Sequence, residues 1–300
     1  MKGDTTMYRL TIRIGFSAIL LALAYLPAHA GAEPKIQADV IYGRKDGMVL
    51  TFDVIKPAKA NGAGIIWIQS GGWYSNWADS KVMAGASKPY LDKGYTMFIV
   101  RHASAPKYAV PDAVADVRRS VRVIRLKASE FGVNPGRLGV FGGSAGGHLS
   151  LMLGTTADDG DANSKDPVLK TSNRIAAVVA LYPPTDLRGW TTDPPEVIKT
   201  IASLKPPLTF DEKLTPGVSP ILHVNDKTAP TLLIHGDKDL LVPIDHSHNI
   251  MKVFEKTKAP AKLVVIEGAA HGFSGKQNAE IVLPAMLEWF DKHLAARKEP

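Results

Sequence analysis

The sequence predicts an α/β protein with a mostly parallel central sheet and helices on both of its faces. Three observations predict it. From residue 38 onward, short apolar runs rich in β-branched residues alternate with longer amphipathic segments, the order that a parallel sheet with crossover helices requires. No internal repeat or shift of composition divides the 300 residues, so one domain is expected over residues 31–300. Hydrophobic residues make up 45% and charged residues 22%, which lets the chain bury a large core without disulfides or metals.

The first thirty residues stand apart from this pattern. Lys2, Arg9 and Arg13 precede an apolar run over 14–26, followed by Pro27 and the small-residue pattern Ala28-His29-Ala30. This reads as a secretory signal peptide cleaved after Ala30, which places the mature protein in the periplasm or outside the cell. The run is shorter than the ~20 residues of a membrane-spanning helix; an uncleaved anchor is the alternative, and no later segment is expected to span a bilayer.

Next come two runs, 40–42 and 48–55, joined by Arg44-Lys45-Asp46-Gly47, which predict an antiparallel hairpin at the sheet edge. Six apolar runs follow, at 64–69 (GIIWIQ), 96–101 (TMFIVR), 138–141 (LGVF), 176–181 (AAVVAL), 231–235 (TLLIH) and 262–266 (KLVVI). They suit parallel strands buried on both faces. Between them, the segment 112–131 places Val114, Val117, Val121, Ile124 and Leu126 along one helix, starting after Pro111 and stopping at Gly132. Helices are also expected at 246–256 and 281–294. The stretch 186–228, rich in Pro and Thr and weakly periodic, is expected as a short lid or cap over the C-terminal edge of the sheet, with a plain surface excursion as the alternative.

The formal charge is +7; losing Lys2, Arg9, Arg13 and Asp4 removes a net +2 and leaves +5. Arg118, Arg119, Arg122, Arg125 and Lys127 cluster, but along the helical stretch, where a solvated basic face is expected and no nucleic-acid partner.

With no cysteine in the chain, thiol nucleophiles and thiolate metal sites are excluded, and covalent chemistry falls to Ser, Thr, Lys or a carboxylate. The segment FGGSAGGH holds Gly142-Gly143-Ser144-Ala145-Gly146, a G-x-S-x-G pattern fed by the run RLGVF and left by the helical GHLSLMLG. Strand, sharp turn and helix together expose the Ser144 hydroxyl beside a helix N-terminus. Gly142 and Gly146 must then be small, because side chains there would meet neighbouring backbone. A phosphate-binding turn is the other use of such a segment, but G-x-G-x-x-G and the Walker lysine are missing.

A serine hydroxyl needs an imidazole to take its proton. Of nine histidines, His29 leaves with the leader, His235 ends a buried strand, and His148 lies on the helix after Ser144, where packing or a backbone hydrogen bond is expected. His246 and His248 are two apart and fall on different helix faces, which disfavours a metal pair. His271, in EGAAHGF between the last strand and the last helix, is the candidate base. LLIHGDKDLLVP offers two carboxylates: Asp237 suits the amides of the tight turn, and Asp239 is chosen to orient the histidine.

With GGSAGGHL, LYPPTDL, SPILHV, LLIHGDKDLLVP and GAAHGF in that order, the chain resembles the α/β-hydrolase esterases typified by bifunctional feruloyl and acetylxylan esterases, the BD-FAE-like group. The resemblance runs from about residue 38 to the last helix. It implies the α/β-hydrolase fold, a catalytic aspartate at Asp239, and no cofactor or metal. Where that family usually carries His-Gly-Gly-Gly-Trp, this chain reads Gln69-Ser70-Gly71-Gly72-Trp73.

The expected mechanism is acyl transfer through Ser144, His271 and Asp239, with the amides of Gly71, Gly72 and Ala145 as oxyanion donors. Trp73, Tyr74 and Trp77 either wall a substrate pocket or serve as packing. The expected activity is that of a serine carboxylesterase on small-acyl esters, acetyl or feruloyl esters of carbohydrate among them. An amide hydrolase of arylformamidase or peptidase type and a hydrolase-like binding protein are the alternatives.

Overall fold

A computed structural model describes residues 33–296; the leader and cleavage site expected at residues 1–30 lie outside them. Eight strands form one sheet: β1 (Lys35–Lys45), β2 (Met48–Lys56), β3 (Gly64–Ile68), β4 (Thr96–Val100), β5 (Leu138–Gly143), β6 (Ala177–Leu181), β7 (Thr231–Gly236) and β8 (Ala261–Ile266). Their spatial order is β1-β2-β4-β3-β5-β6-β7-β8, with β1 and β2 antiparallel and every pair from β4 to β8 parallel. The expected edge hairpin is present, and its tight turn rests on positive φ at Asp46 and Gly47.

The helices are α1 (Ser80–Ala86), α2 (Lys88–Asp92), α3 (Val110–Leu126), α4 (Ala128–Phe131), α5 (Ala145–Thr155), α6 (Pro167–Lys170), α7 (Glu196–Lys199), α8 (Asp245–Thr257), α9 (Gly275–Gln277) and α10 (Leu283–His293). Side-chain alternation along each strand divides the core in two. Phe52, Ile66, Phe98, Val140 and Leu233 pack towards α3, α5 and α8, whereas Ile65, Met97, Ile99, Val179 and Ile234 pack towards α1, α2 and α10.

Three local expectations are corrected. The segment 112–131 is two helices, α3 and α4, meeting at Lys127; α3 begins at Val110, with Pro111 in the first turn, where its missing N–H costs nothing. Strand β8 is not buried on both faces: it closes the sheet, so Lys262 and Val265 are exposed and Ile266 alone is fully covered. The basic cluster on α3 is not a solvated face. Arg119 reaches Asp166 at 2.9 Å, Arg122 reaches Asp158 at 2.6 Å, and Arg118 and Arg125 bond Thr156 and the Arg174 carbonyl, so the cluster fastens the 156–174 excursion to the domain.

Residues 186–228 hold α7 and a string of single 3-10 turns. Leu187, Trp190, Ile198, Leu204, Leu208 and Val218 are buried and join the core on the α5 side. The segment is thus a packed part of the domain. No helix among the described residues is long and apolar enough to cross a membrane.

Candidate active site

Parallel strands that point the same way place the loops after β3, β4, β5, β6, β7 and β8 along one rim, and the residues singled out from the sequence all lie there. Ser144 follows β5 directly at φ 52° and ψ −119°, a conformation that L residues rarely adopt. Its N–H donates to the Leu181 carbonyl at 2.9 Å, and its own carbonyl accepts the His148 N–H at 2.9 Å. The turn depends on close backbone approach: a Cβ at Gly142 would lie 2.5 Å from the Gly146 carbonyl carbon, and one at Gly146 would lie 2.8 Å from the Ile68 oxygen.

The loops after β7 and β8 bring Asp239 and His271 to Ser144. Asp239 Oδ2 lies 2.8 Å from His271 Nδ1, and His271 Nε2 lies 2.8 Å from Ser144 Oγ. A carboxylate only accepts, so Nδ1 carries the proton and donates it, which leaves the Nε2 lone pair to accept the serine O–H. Burial pushes the Asp239 carboxyl up, but hydrogen bonds from His235 and His271, the electrostatic pull of the adjacent His271 ring and the Val242 amide outweigh it and hold the group well below the usual carboxylate range. Its second oxygen, Oδ1, accepts the Leu241 and Val242 amides at 2.9 Å each. Asp237 instead bonds the Gly268 amide at 2.6 Å, as a turn residue.

His235, set aside from sequence as a buried strand end, is wired to the same carboxylate. Its Nε2–H faces both Asp239 Oδ2 at 3.2 Å and the Val242 carbonyl at 2.8 Å, which leaves Nδ1 to accept the Ser247 hydroxyl at 2.8 Å. Tyr182, at φ 39° just after β6, stands edge-on to His271 with ring centroids 4.8 Å apart. Both residues sit inside motifs visible in the sequence, LLIHGD and LYPPTDL, yet nothing in residue type or spacing assigns them a partner.

Gly71 to Tyr74 form a β-turn in which the Tyr74 N–H donates to the Gly71 carbonyl at 3.0 Å and the Gly71 N–H donates back to the Tyr74 carbonyl at 2.9 Å. Gly72 and Trp73 take φ of 56° and 60°, the mirror-image turn. Gly71 is therefore corrected as an oxyanion donor, because its amide is already committed. The amides of Gly72 and Ala145 have no acceptor among the described residues, and Ala145 opens α5 at its positive end.

Trp73 is likewise corrected as a substrate-binding residue. It is buried, its indole N–H donates to His148 Nδ1 at 3.1 Å, and its ring stands edge-on to Trp190. His148 Nε2–H in turn donates to the Val218 carbonyl in the 186–228 segment at 2.7 Å. This anchor holds an indole side chain in a backbone region that glycine prefers. Tyr74 is half-buried and Trp77 is 65% exposed, so those two remain open to a ligand. No group of His, Asp and Glu among the described residues is arranged to hold a metal ion.

Known proteins resemble this chain in sequence or in structure. Esterase LipC of Mycobacterium tuberculosis is 27% identical over 218 residues, 70% of this chain and 52% of LipC. Endo-1,4-beta-xylanase B of Butyrivibrio fibrisolvens is 26% identical over 192 residues, 63% of this chain and 29% of that protein. The chain thus spans about half the length of LipC, and less of the xylanase. Esterase 2 of Thermogutta terrifontis, phosphoramylated by tabun, superposes with a TM-score of 0.70 at 25% identity, covering 92% of this chain and 100% of that one. The family profile of BD-FAE matches residues 52–254, more than half of the chain. An α/β-hydrolase sheet, a strained serine at the end of its fifth strand and that match agree: the chain belongs to the BD-FAE family.

Proposed function

We propose that the protein is a serine carboxylesterase acting on small-acyl esters. The observation that carries this reading is the His271 imidazole, 2.8 Å from Ser144 Oγ on one side and 2.8 Å from Asp239 on the other. Ser144 Oγ attacks the acyl carbonyl as its proton passes to His271 Nε2. The amides of Ala145 and Gly72 hold the oxyanion, and Asp239 stabilises the imidazolium. Collapse breaks the bond to the alcohol, which leaves with the proton from His271. Water, deprotonated by the same imidazole, then releases the acid and regenerates Ser144. The resemblance to bifunctional esterases and the xylanase relative favour acetyl or feruloyl esters of carbohydrate, with the exposed Trp77 and the Tyr74 ring as stacking surfaces for a sugar. Export through the leader at residues 1–30 belongs to the same proposal, since such polymers lie outside the cell; intact mass of the secreted protein reads the cut after Ala30.

A panel of p-nitrophenyl esters, acetylated xylan, methyl ferulate and N-formylkynurenine tests the activity. Short acyl chains are expected to turn over faster than long ones, and Ser144→Ala is expected to lower kcat on the order of 10⁵-fold. Turnover of the formamide alone would replace the ester reading with an amidase, and full activity in Ser144→Ala would overturn the mechanism.

A further inference from the structure

The two proposed oxyanion donors come from different segments, Gly72 from the turn after β3 and Ala145 from the start of α5, so something must fix the distance between them. We infer that Ser70, held by His102, is the positioning residue that does so, and that the pair takes over from the His-Gly that related enzymes carry at positions 69 and 70. This rests on the esterase reading above.

Ser70 touches both halves. Its carbonyl accepts the Gly146 N–H at 3.2 Å, one residue beyond Ala145, and its main chain leads directly into the Gly71 to Tyr74 turn. Its hydroxyl lies 2.8 Å from His102 Nε2. His102 Nδ1 lies 2.8 Å from the Ala103 carbonyl, an acceptor only, so Nδ1 carries the proton and Nε2 accepts the Ser70 O–H. His102 is 5% exposed, and burial keeps it neutral, with its pKa pushed down to about 4, so this arrangement persists across the working range of an esterase.

The same loop after β4 grips the far end of the turn. Ser104 Oγ accepts the Ser75 N–H at 2.8 Å, and Ser75 Oγ donates to the Gln69 carbonyl at 2.5 Å. Residues 69–75 are therefore clamped at both ends by residues 102–104, and Ser70 carries both contacts, its hydroxyl to His102 in the clamp and its carbonyl to the Gly146 amide of the serine elbow. The Gln69 side chain makes no hydrogen bond among the described residues, so it does not do the work of the missing histidine.

Ser70→Ala removes the hydroxyl and no apolar packing. Its expected effect on p-nitrophenyl acetate is a kcat 10–100-fold lower, on the order of part of one oxyanion donor, with KM within about twofold of wild type. The rate of Ser144 labelling by a fluorophosphonate is expected to fall in parallel, because the phosphonyl oxygen uses the same amides. Ser70→Thr, which keeps the hydroxyl, is expected to recover most of both rates. Ser70→Ala combined with His102→Ala is expected to be no slower than the slower single variant, the signature of two residues acting as one. Wild-type kcat and labelling in a folded Ser70→Ala protein would overturn the inference, as would a loss seen only in KM or losses that multiply in the double variant. A wild-type protein that labels but turns over no ester would sink the esterase reading, while the labelling comparison would still decide the role of Ser70.

Discussion

Gly72→Ala isolates one oxyanion donor without touching Ser144, Asp239 or His271. Gly72 sits at φ 56°, where an L side chain costs roughly 1–2 kcal/mol. The added Cβ would lie 2.7 Å from Leu204 Cδ2, the far end of a flexible side chain that can yield at about 0.5–1.5 kcal/mol. A total of about 1.5–3.5 kcal/mol lowers Tm by roughly 3–14 °C in a domain of this size, which leaves the protein folded for assay. The backbone relieves the strain by rotating the turn, and the Gly72 amide leaves its aim. Complete loss of one donor costs about 10²–10³ in kcat, so a displaced donor is expected to cost about 10–100-fold. Steady-state kinetics with p-nitrophenyl acetate, run beside thermal unfolding, read both effects. Undiminished kcat in a folded Gly72→Ala protein would refute the reasoning, and so would a defect confined to KM.

Trp73→Phe keeps an aromatic ring but removes the indole N–H and leaves His148 Nδ1 buried without its donor, which is expected to cost about 1–3 kcal/mol in urea unfolding and to lower kcat as the turn loosens. Gly142→Ala is expected to abolish turnover, because its Cβ would meet the Gly146 main chain at 2.5 Å, which no side-chain rotation relieves; a folded variant with more than a tenth of wild-type activity would contradict this. Burial pushes His102, His148 and His246 from 6.5 down to about 4, so between those values the unfolded chain binds protons that the folded one does not. Stability is expected to rise with pH across that window and to fall as pH drops through 6.5, by about 4 kcal/mol per unit near pH 5 for three such groups. Urea midpoints that stay level between pH 6 and pH 5 would contradict it.

Sequence carried the sheet well because its strands are short apolar runs separated by longer amphipathic segments, and the rim residues follow from where those runs end. Ser144, Asp239 and His271 were legible for that reason: each follows a recognisable strand, and Asp237 could be set aside by its place in a tight turn. What escaped were properties of contact. Gly71 and Gly72 look alike as donors in sequence, and a single hydrogen bond to the Tyr74 carbonyl separates them. Trp73, Tyr74 and Trp77 form one aromatic cluster on paper, yet the mirror-image turn sends Trp73 into the core against His148 and leaves Trp77 in solvent. His235 and His102 are buried and apolar in setting, and only their partners, Asp239 and Ser70, give them meaning. The Arg cluster on α3 misled because pairing with Asp158 and Asp166 comes from an excursion distant in sequence.

Mass-spectrometric mapping of protein treated with a fluorophosphonate tests the central arrangement most directly, since phosphonylation needs an activated hydroxyl and no knowledge of the substrate. A single adduct on Ser144 is expected, absent from Ser144→Ala and formed far more slowly in His271→Ala. An unmodified Ser144 in folded protein, or equal labelling with and without the His271 imidazole, would contradict the account.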